Sequence, residues 1–201
     1  HQDTLFTGPL PEKERQPGGF IGPKQFAPRI NGRQYYKNCY ICGDIDFIFG
    51  SATAYFEHCT LESLLRTKTS AQSDLVSTTS TLHDSGSDTS ALCHSNSDMV
   101  QKNYTLPPIQ GYVTAASTPE SQEYGYVFSN CKLISKDCPP NSVYLGRPWR
   151  NYAKTVFLEC ALGNHIHECG FHDWKKEDAR NTVLYAEYRN YPASSADTTS
   201  N

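Results

Sequence analysis

Four short segments of the chain repeat one alternation of apolar and polar positions: YYKNCYI, YFEHCTL, VFSNCKL and VFLECAL. Each opens on two apolar or aromatic residues, passes through two mostly polar ones to a cysteine, and reaches an aliphatic residue two places later. The cysteines are Cys39, Cys59, Cys131 and Cys160. Aromatic residues stand three places before them (Tyr36, Phe56, Phe128, Phe157) and aliphatic ones two places after (Ile41, Leu61, Leu133, Leu162). The β-branched and aromatic content favours strand over helix in every unit. Cys39 and Cys59 are 20 residues apart, close to one coil of a solenoid, and stacked coils place like residues above like. The predicted fold is all-β, a parallel β-helix. Its cysteines are expected to form a reduced internal ladder of small apolar side chains rather than disulfides, as buried free cysteine commonly does.

Two stretches interrupt this period. Residues 68–103 are rich in Ser, Thr and Asp and hold too few apolar side chains to offset the cost of ordering their backbone. They are predicted to be a solvated excursion, which accounts for the 72 residues between Cys59 and Cys131. Residues 8–32 are studded with Pro and Gly and read as a loop of turns, and the small polar tail 192–201 is expected to fray. The whole of 1–201 is therefore read as one β-helix domain carrying two loops.

Composition narrows the function classes. The 201 residues are 37% apolar, enough for one sizeable core. The formal charge of −3, with Lys and Arg scattered along the chain, supplies no basic stripe for nucleic acid. No apolar run approaches the roughly 20 residues that span a bilayer, so no membrane partner is expected, and the domain is expected to act as a monomer.

Four stretches carry candidate chemistry. In Gly43-Asp44-Ile45-Asp46-Phe47-Ile48-Phe49-Gly50, Asp46 sits within an apolar and aromatic run, where a carboxylate needs either a catalytic role or a structural partner such as backbone amides or an arginine. His1-Gln2-Asp3-Thr4 sets an amide beside a second carboxylate. Two carboxylates in different environments can divide nucleophilic and acid/base work, and an amide can donate to an oxyanion; a turn in which Asp3 bonds its own backbone is the plain alternative. Tyr144-Leu145-Gly146-Arg147-Pro148-Trp149-Arg150 holds an arginine fork and an indole about a fixed-φ proline, suited to a carboxylate and to the apolar face of a sugar. A surface arginine stacked on a packing tryptophan would look the same. Gly111-Tyr112-Val113-Thr114-Ala115-Ala116-Ser117-Thr118-Pro119 offers small and hydroxyl residues that would let a polymer approach the backbone.

Metal ligation is weighed and set aside. His165, His167 and Cys169 alternate along one segment with His172 nearby, and Cys39 and Cys42 form a C-x-x-C. That pair straddles a strand rather than a knuckle turn and has no matching second pair, so neither a metal nor any other cofactor is expected.

Taken in order, QDTLF, GDIDFIFG, GYVTAAST and YLGRPW resemble the signature blocks of the pectin methylesterases, family 8 of the carbohydrate esterases, and they span Gln2 to Trp149. The resemblance implies a right-handed parallel β-helix that removes the C6 methyl ester of methyl-esterified homogalacturonan (pectin). It implies Asp46 as nucleophile, Asp3 as general acid and then base, Gln2 as oxyanion donor and Arg147 as the partner that orients Asp46. Trp149 would bind sugar, and Phe6, Ile45 and Phe49 would help to line the cleft. The family's helix begins upstream of QDTL, with a second oxyanion glutamine there, so the chain is expected to be a fragment truncated at its N-terminus and also shortened at its C-terminus. A polymeric substrate favours an extracellular or cell-surface location, with the cytoplasm left open because no leader is visible. A pectate lyase would need an acidic calcium cluster and a polygalacturonase a closer set of acids, whereas a non-catalytic pectin-binding module would keep the cleft and tolerate loss of Asp3. In the folded chain Asp3, Asp46 and Arg147 are expected to converge on one cleft walled by Trp149, with Arg147 no more than one coil from Asp46.

Overall fold

Side chains that alternate in and out along a strand can bury one face only if each coil is covered by the next, and the chain meets that need by winding. The computed structural model describes residues 2–8, 31–66 and 108–194. The first coil contains β1 (Leu5–Thr7), β2 (Arg33–Lys37) and β3 (Tyr40–Gly43), and the second β4 (Ile45–Gly50), β5 (Thr53–Glu57) and β6 (Thr60–Ser63). The third contains β7 (Gly111–Ala116), β8 (Tyr126–Ser129) and β9 (Lys132–Ile134), and the fourth β10 (Val143–Gly146), β11 (Lys154–Leu158) and β12 (Ala161–Leu162). A short helix, α1 (Glu177–Arg180), then precedes β13 (Leu184–Tyr188) and β14 (Tyr191–Pro192). Every coil hands one strand to each sheet, giving the orders β1-β4-β7-β10, β2-β5-β8-β11-β13 and β3-β6-β9-β12-β14, all parallel. This is a parallel β-helix. In the last turn, isolated bridges from Val143 to Ile166 and from Gly146 to Phe171 stand where a fifth strand of the first sheet would lie.

The repeat read from the sequence is the register of the stack. Tyr36 pairs with Phe56, Phe56 with Phe128 and Phe128 with Phe157. Their rings stack face to face at centroid distances of 4.6, 4.4 and 4.5 Å. Ile41, Leu61, Leu133 and Leu162 form a second column. Cys59, Cys131 and Cys160 are fully buried, whereas Cys39, at the end of the stack, is half-buried, and all four are free thiols. The Sγ of Cys59, Cys131 and Cys160 each point at a carbonyl of the preceding coil, those of Tyr36, Phe56 and Phe128. Between the second and third sheets each coil turns on one left-handed residue, at Asn38, His58, Asn130, Glu159 and Arg189, with φ between 51° and 53°. Asparagine, and to a lesser degree histidine, is enriched in that conformation; Glu159 and Arg189 are not, and inter-coil bonds on either side hold the turns, such as His58 N–H to Ser129 O and Thr60 N–H to Cys39 O.

The predicted excursion 68–103 and most of the loop 8–32 lie outside the described residues. At the start of the tail Pro192 lies in β14, paired with Leu162, and Ala193 N–H donates to Leu162 O; residues 195–201 lie outside the described residues. The backbone bonds to the fourth coil outweigh the weak propensity of the small polar sequence.

Candidate active site

The first sheet carries the site. The pairing of β1 on β4 sets Leu5 on Ile48, Phe6 on Phe49 and Thr7 on Gly50, and the same offset carried back sets Asp3 on Asp46, one coil away. Both aspartates are left-handed, with φ 55° and 52°. Asp3 N–H donates to Ile45 O at 3.1 Å, and the pairing of β4 with β7 shifts register between Ile45 and Ile48. A bulge of this kind re-aims a side chain. Here it brings two carboxyls, stacked a coil apart, to the same outer face.

Arg147 follows β10 and its N–H bonds Thr114 O of β7. Its backbone is therefore two coils from Asp46, not within one as expected. Two coil spacings come to roughly 10 Å, which an extended arginine and an aspartate side chain together bridge. The guanidinium meets the Asp46 carboxylate as a two-pronged fork, Nε to Oδ1 at 2.9 Å and an Nη to Oδ2 at 2.8 Å. Asp46 is buried and Arg147 nearly so. Such a pair fixes a carboxylate in orientation as well as charge.

Gln2, Asp3, Asp46, Phe49, Ala115, Arg147, Trp149 and Trp174 surround an open cleft of about 240 Å³. The Gln2 side-chain amide reaches the Asp3 carboxyl at 3.4 Å. Asp3 stands at the rim, and partial burial, then the charge of Asp46, push its carboxyl above the ordinary aspartate range against the opposing pull of Gln2 and Arg147. Trp149 is anchored by its N–H to Ala116 O and lies 6.0 Å from the ring of Phe49, which in turn lies 5.1 Å from Phe6. Phe6 thus backs the wall rather than forming it. Ile45 does not line the cleft either; its carbonyl holds Asp3, and its N–H bonds Asp44 Oδ1.

The sequence reading passed over Trp174 and Lys176, and it named Ala115 only as part of the Gly111–Pro119 stretch. Trp174 caps the outer face of Arg147, its ring centroid 3.7 Å from the guanidinium carbon. Lys176 Nζ ties the Trp174 segment to the Arg147 segment by bonds to Pro148 O at 3.0 Å and Trp149 O at 2.8 Å. A signal was available: the chain has two tryptophans, Trp149 and Trp174, and both reach the same cleft. His165 and His167 part company, His165 sealed in the core and His167 stacked at 4.3 Å on Tyr144. Among the described residues no three His, Cys, Asp or Glu gather as a metal site.

The pectinesterase family model matches residues 29–108 and 89–200. "Probable pectinesterase/pectinesterase inhibitor 13" of Arabidopsis thaliana is 34% identical over 175 residues, covering 84% of this chain and 22% of that protein. The crystal structure of the pectin methylesterase from Aspergillus niger superposes with a TM-score of 0.54 at 27% identity, covering 84% of this chain and 42% of that one. A pectin methylesterase solved in complex with a hexasaccharide superposes with a TM-score of 0.52 at 26% identity, covering 85% of this chain and 45% of that one. The chain spans less than half the length of each of these relatives. With the family's match extending over most of its length, and a β-helix like theirs carrying paired aspartates beside an arginine, the chain belongs to the pectinesterase family.

Proposed function

We infer that this chain carries the hydrolytic centre of a pectin methylesterase acting on methyl-esterified homogalacturonan. The observation that carries the reading is the buried Asp46 held in the Arg147 fork, with a second carboxyl, Asp3, stacked one coil away and raised toward its protonated form. A carboxylate fixed by two hydrogen bonds keeps lone pairs free toward the cleft, which suits a nucleophile. A neighbouring carboxyl whose hold on its proton is strengthened suits a general acid.

An oxygen of Asp46 attacks the C6 carbonyl of a methyl galacturonate unit, and the Gln2 amide donates to the tetrahedral oxyanion. Collapse breaks the C–OCH3 bond as Asp3 gives its proton to the departing oxygen, releasing methanol and leaving an anhydride on Asp46. Asp3, now a carboxylate, takes a proton from the water that attacks the acyl carbon. The C–O bond to Asp46 breaks, the galacturonic acid group leaves and gives up its proton to solvent, and both side chains return to their starting states. Trp149 and Phe49 offer aromatic faces to the sugar rings, and Arg147, Arg150 and Lys176 lie close by, in keeping with a polymer that becomes anionic as it is processed. A related pectin methylesterase is solved in complex with a hexasaccharide, which supports a polysaccharide ligand for this chain. A polymeric substrate of this kind favours action outside the cell or at its surface, and the protein is read as acting as a monomer.

Methanol release from highly methylated pectin tests the reading. In a chain restored to the length of its relatives, methanol release is expected, with Asp46→Asn losing at least about 10³-fold in rate. A restored chain that binds pectin but releases no methanol would be a binding module, and an Asp46→Asn variant with normal release would refute the assignment.

A further inference from the structure

The fork between Arg147 and Asp46 is useful only while the guanidinium keeps its plane, and the two bonds of the fork leave that plane some freedom. A guanidinium at the tip of a long side chain can tilt about its terminal torsions while keeping one of its two bonds. Here both of its faces are covered. On one side the Tyr112 ring centroid lies 3.9 Å from the Arg147 guanidinium carbon, and on the other the Trp174 centroid lies at 3.7 Å. Both distances are those of rings in contact with the planar cation, well inside the roughly 6 Å that defines such an attraction.

Each ring is itself held. Tyr112 is on β7, the strand between the one that bears Asp46 and the one that leads to Arg147, and it is in register with Ile45 and Tyr144. Its ring stacks on Tyr144 at 5.7 Å and 10°, and Tyr144 stacks in turn on His167 at 4.3 Å. His172 meets both tyrosines, at 5.8 and 5.0 Å. Trp174 is set in left-handed backbone, φ 55°, and its ring is covered by the Lys176 ammonium at 4.6 Å, whose bonds to Pro148 O and Trp149 O close a brace back to the segment that carries Arg147. The arginine thus sits in a slot whose walls are anchored in the third coil and in the last turn.

We propose that Tyr112 and Trp174 form an aromatic clamp that holds the Arg147 guanidinium in the plane of the Asp46 carboxylate, making Tyr112 a positioning residue for the nucleophile. The proposal rests on the reading of Asp46 as nucleophile. Tyr112 is the clean place to test it, because its ring does not line the cleft whereas Trp174 does, so a change at Trp174 would disturb substrate and clamp together.

The experiment compares Tyr112→Leu, which removes the flat face, with Tyr112→Phe, which keeps it. Two readouts are taken on the full chain: kcat and KM for methanol release, and the NMR signal of the Arg147 Nε–H, which reports whether the fork persists and is read only from folded molecules. The clamp predicts that Tyr112→Leu lowers kcat about tenfold or more with KM little changed, and that the Nε–H signal broadens or exchanges faster with water. Tyr112→Phe should restore both. Should leucine unfold the chain, Tyr112→Met fills the volume without a flat face and is expected to give the same two losses. A leucine or methionine variant with wild-type kcat and an unchanged Nε–H signal would overturn the clamp, as would a phenylalanine variant as impaired as leucine. Asp46→Asn separates this from the parent reading: if it releases methanol normally the nucleophile assignment fails, while the Arg147 signal still answers for the clamp.

Discussion

At the residue scale the two aspartates share a feature that no composition or periodicity discloses, the left-handed backbone at Asp3 and Asp46. Aspartate tolerates that region better than most side chains, so the bulge that aims the carboxyl and the choice of residue suit each other. Asp3→Asn keeps this tolerance and the size of the side chain while removing the acid. It is therefore expected to fold normally and to lose about 10²-fold or more in kcat. The pH profile should change with it. Because the Asp3 carboxyl is raised by partial burial and by Asp46, wild-type methanol release should fall as pH climbs through that raised value and the proton is lost. The asparagine variant should lack this limb, and an unchanged kcat would remove Asp3 from the mechanism. Asp46 was legible as a carboxylate stranded in an apolar run, and Arg147 and Trp149 as a pair about a proline. For Trp174 the scarcity of tryptophan was the available signal, but its contact with Arg147 was not legible, because that depends on a loop from a later turn whose path is set by tertiary bonds such as that of Lys176 to Trp149 O.

At the element scale the fold was written in the spacing around the cysteines, since the same three columns of aromatic, cysteine and aliphatic residues emerge as vertical neighbours. What spacing could not supply was where the pattern stops. In the last turn Asn190 occupies the place of the cysteine, and its side-chain oxygen accepts Cys160 N–H at 2.9 Å, a polar end to an apolar column. The columns also show which strand matters most. Phe128 is buried between Phe56 and Phe157, stacked at 4.4 and 4.5 Å, so its removal opens a cavity that neither neighbour can fill without leaving its own stack. Phe128→Ala is expected to cost about 3–5 kcal/mol, read as a lower denaturant midpoint with little change in slope. Tyr36, half-buried at the end of the same column, should cost distinctly less when truncated to alanine. Equal losses at the two positions would mean that the column does not act as a continuous core.

For the molecule as a whole, stability in a solenoid is close to a sum of contacts between successive coils, so a fault at one junction is felt globally. The fourth coil meets the last turn around His165, whose carbonyl accepts the N–H groups of Ser142 and Val143 while its imidazole lies in the core. Nε2 finds no hydrogen-bond partner there, and burial lowers the imidazole from the ordinary 6.5 to about 4. The folded chain therefore binds this proton less readily than the unfolded chain. Its neutral form is fully accommodated above about pH 6.5, and the folded state loses ground as pH falls from there toward about 4, where the unfolded chain is protonated and the folded chain is not. The loss attributable to this one group approaches about 3 kcal/mol. His167, also lowered by burial but opposed by Glu168, and the carboxylates add their own dependence, so the informative quantity is a difference between proteins. His165→Leu removes the titration while keeping an apolar filling of similar bulk. Urea denaturation at pH 7 and pH 4.5 should show the wild type losing more stability between the two than the variant, by a margin of about 2–3 kcal/mol. If both proteins lose the same amount, His165 does not set the acid limit of the fold, and the junction between the fourth coil and the last turn is not where acid enters.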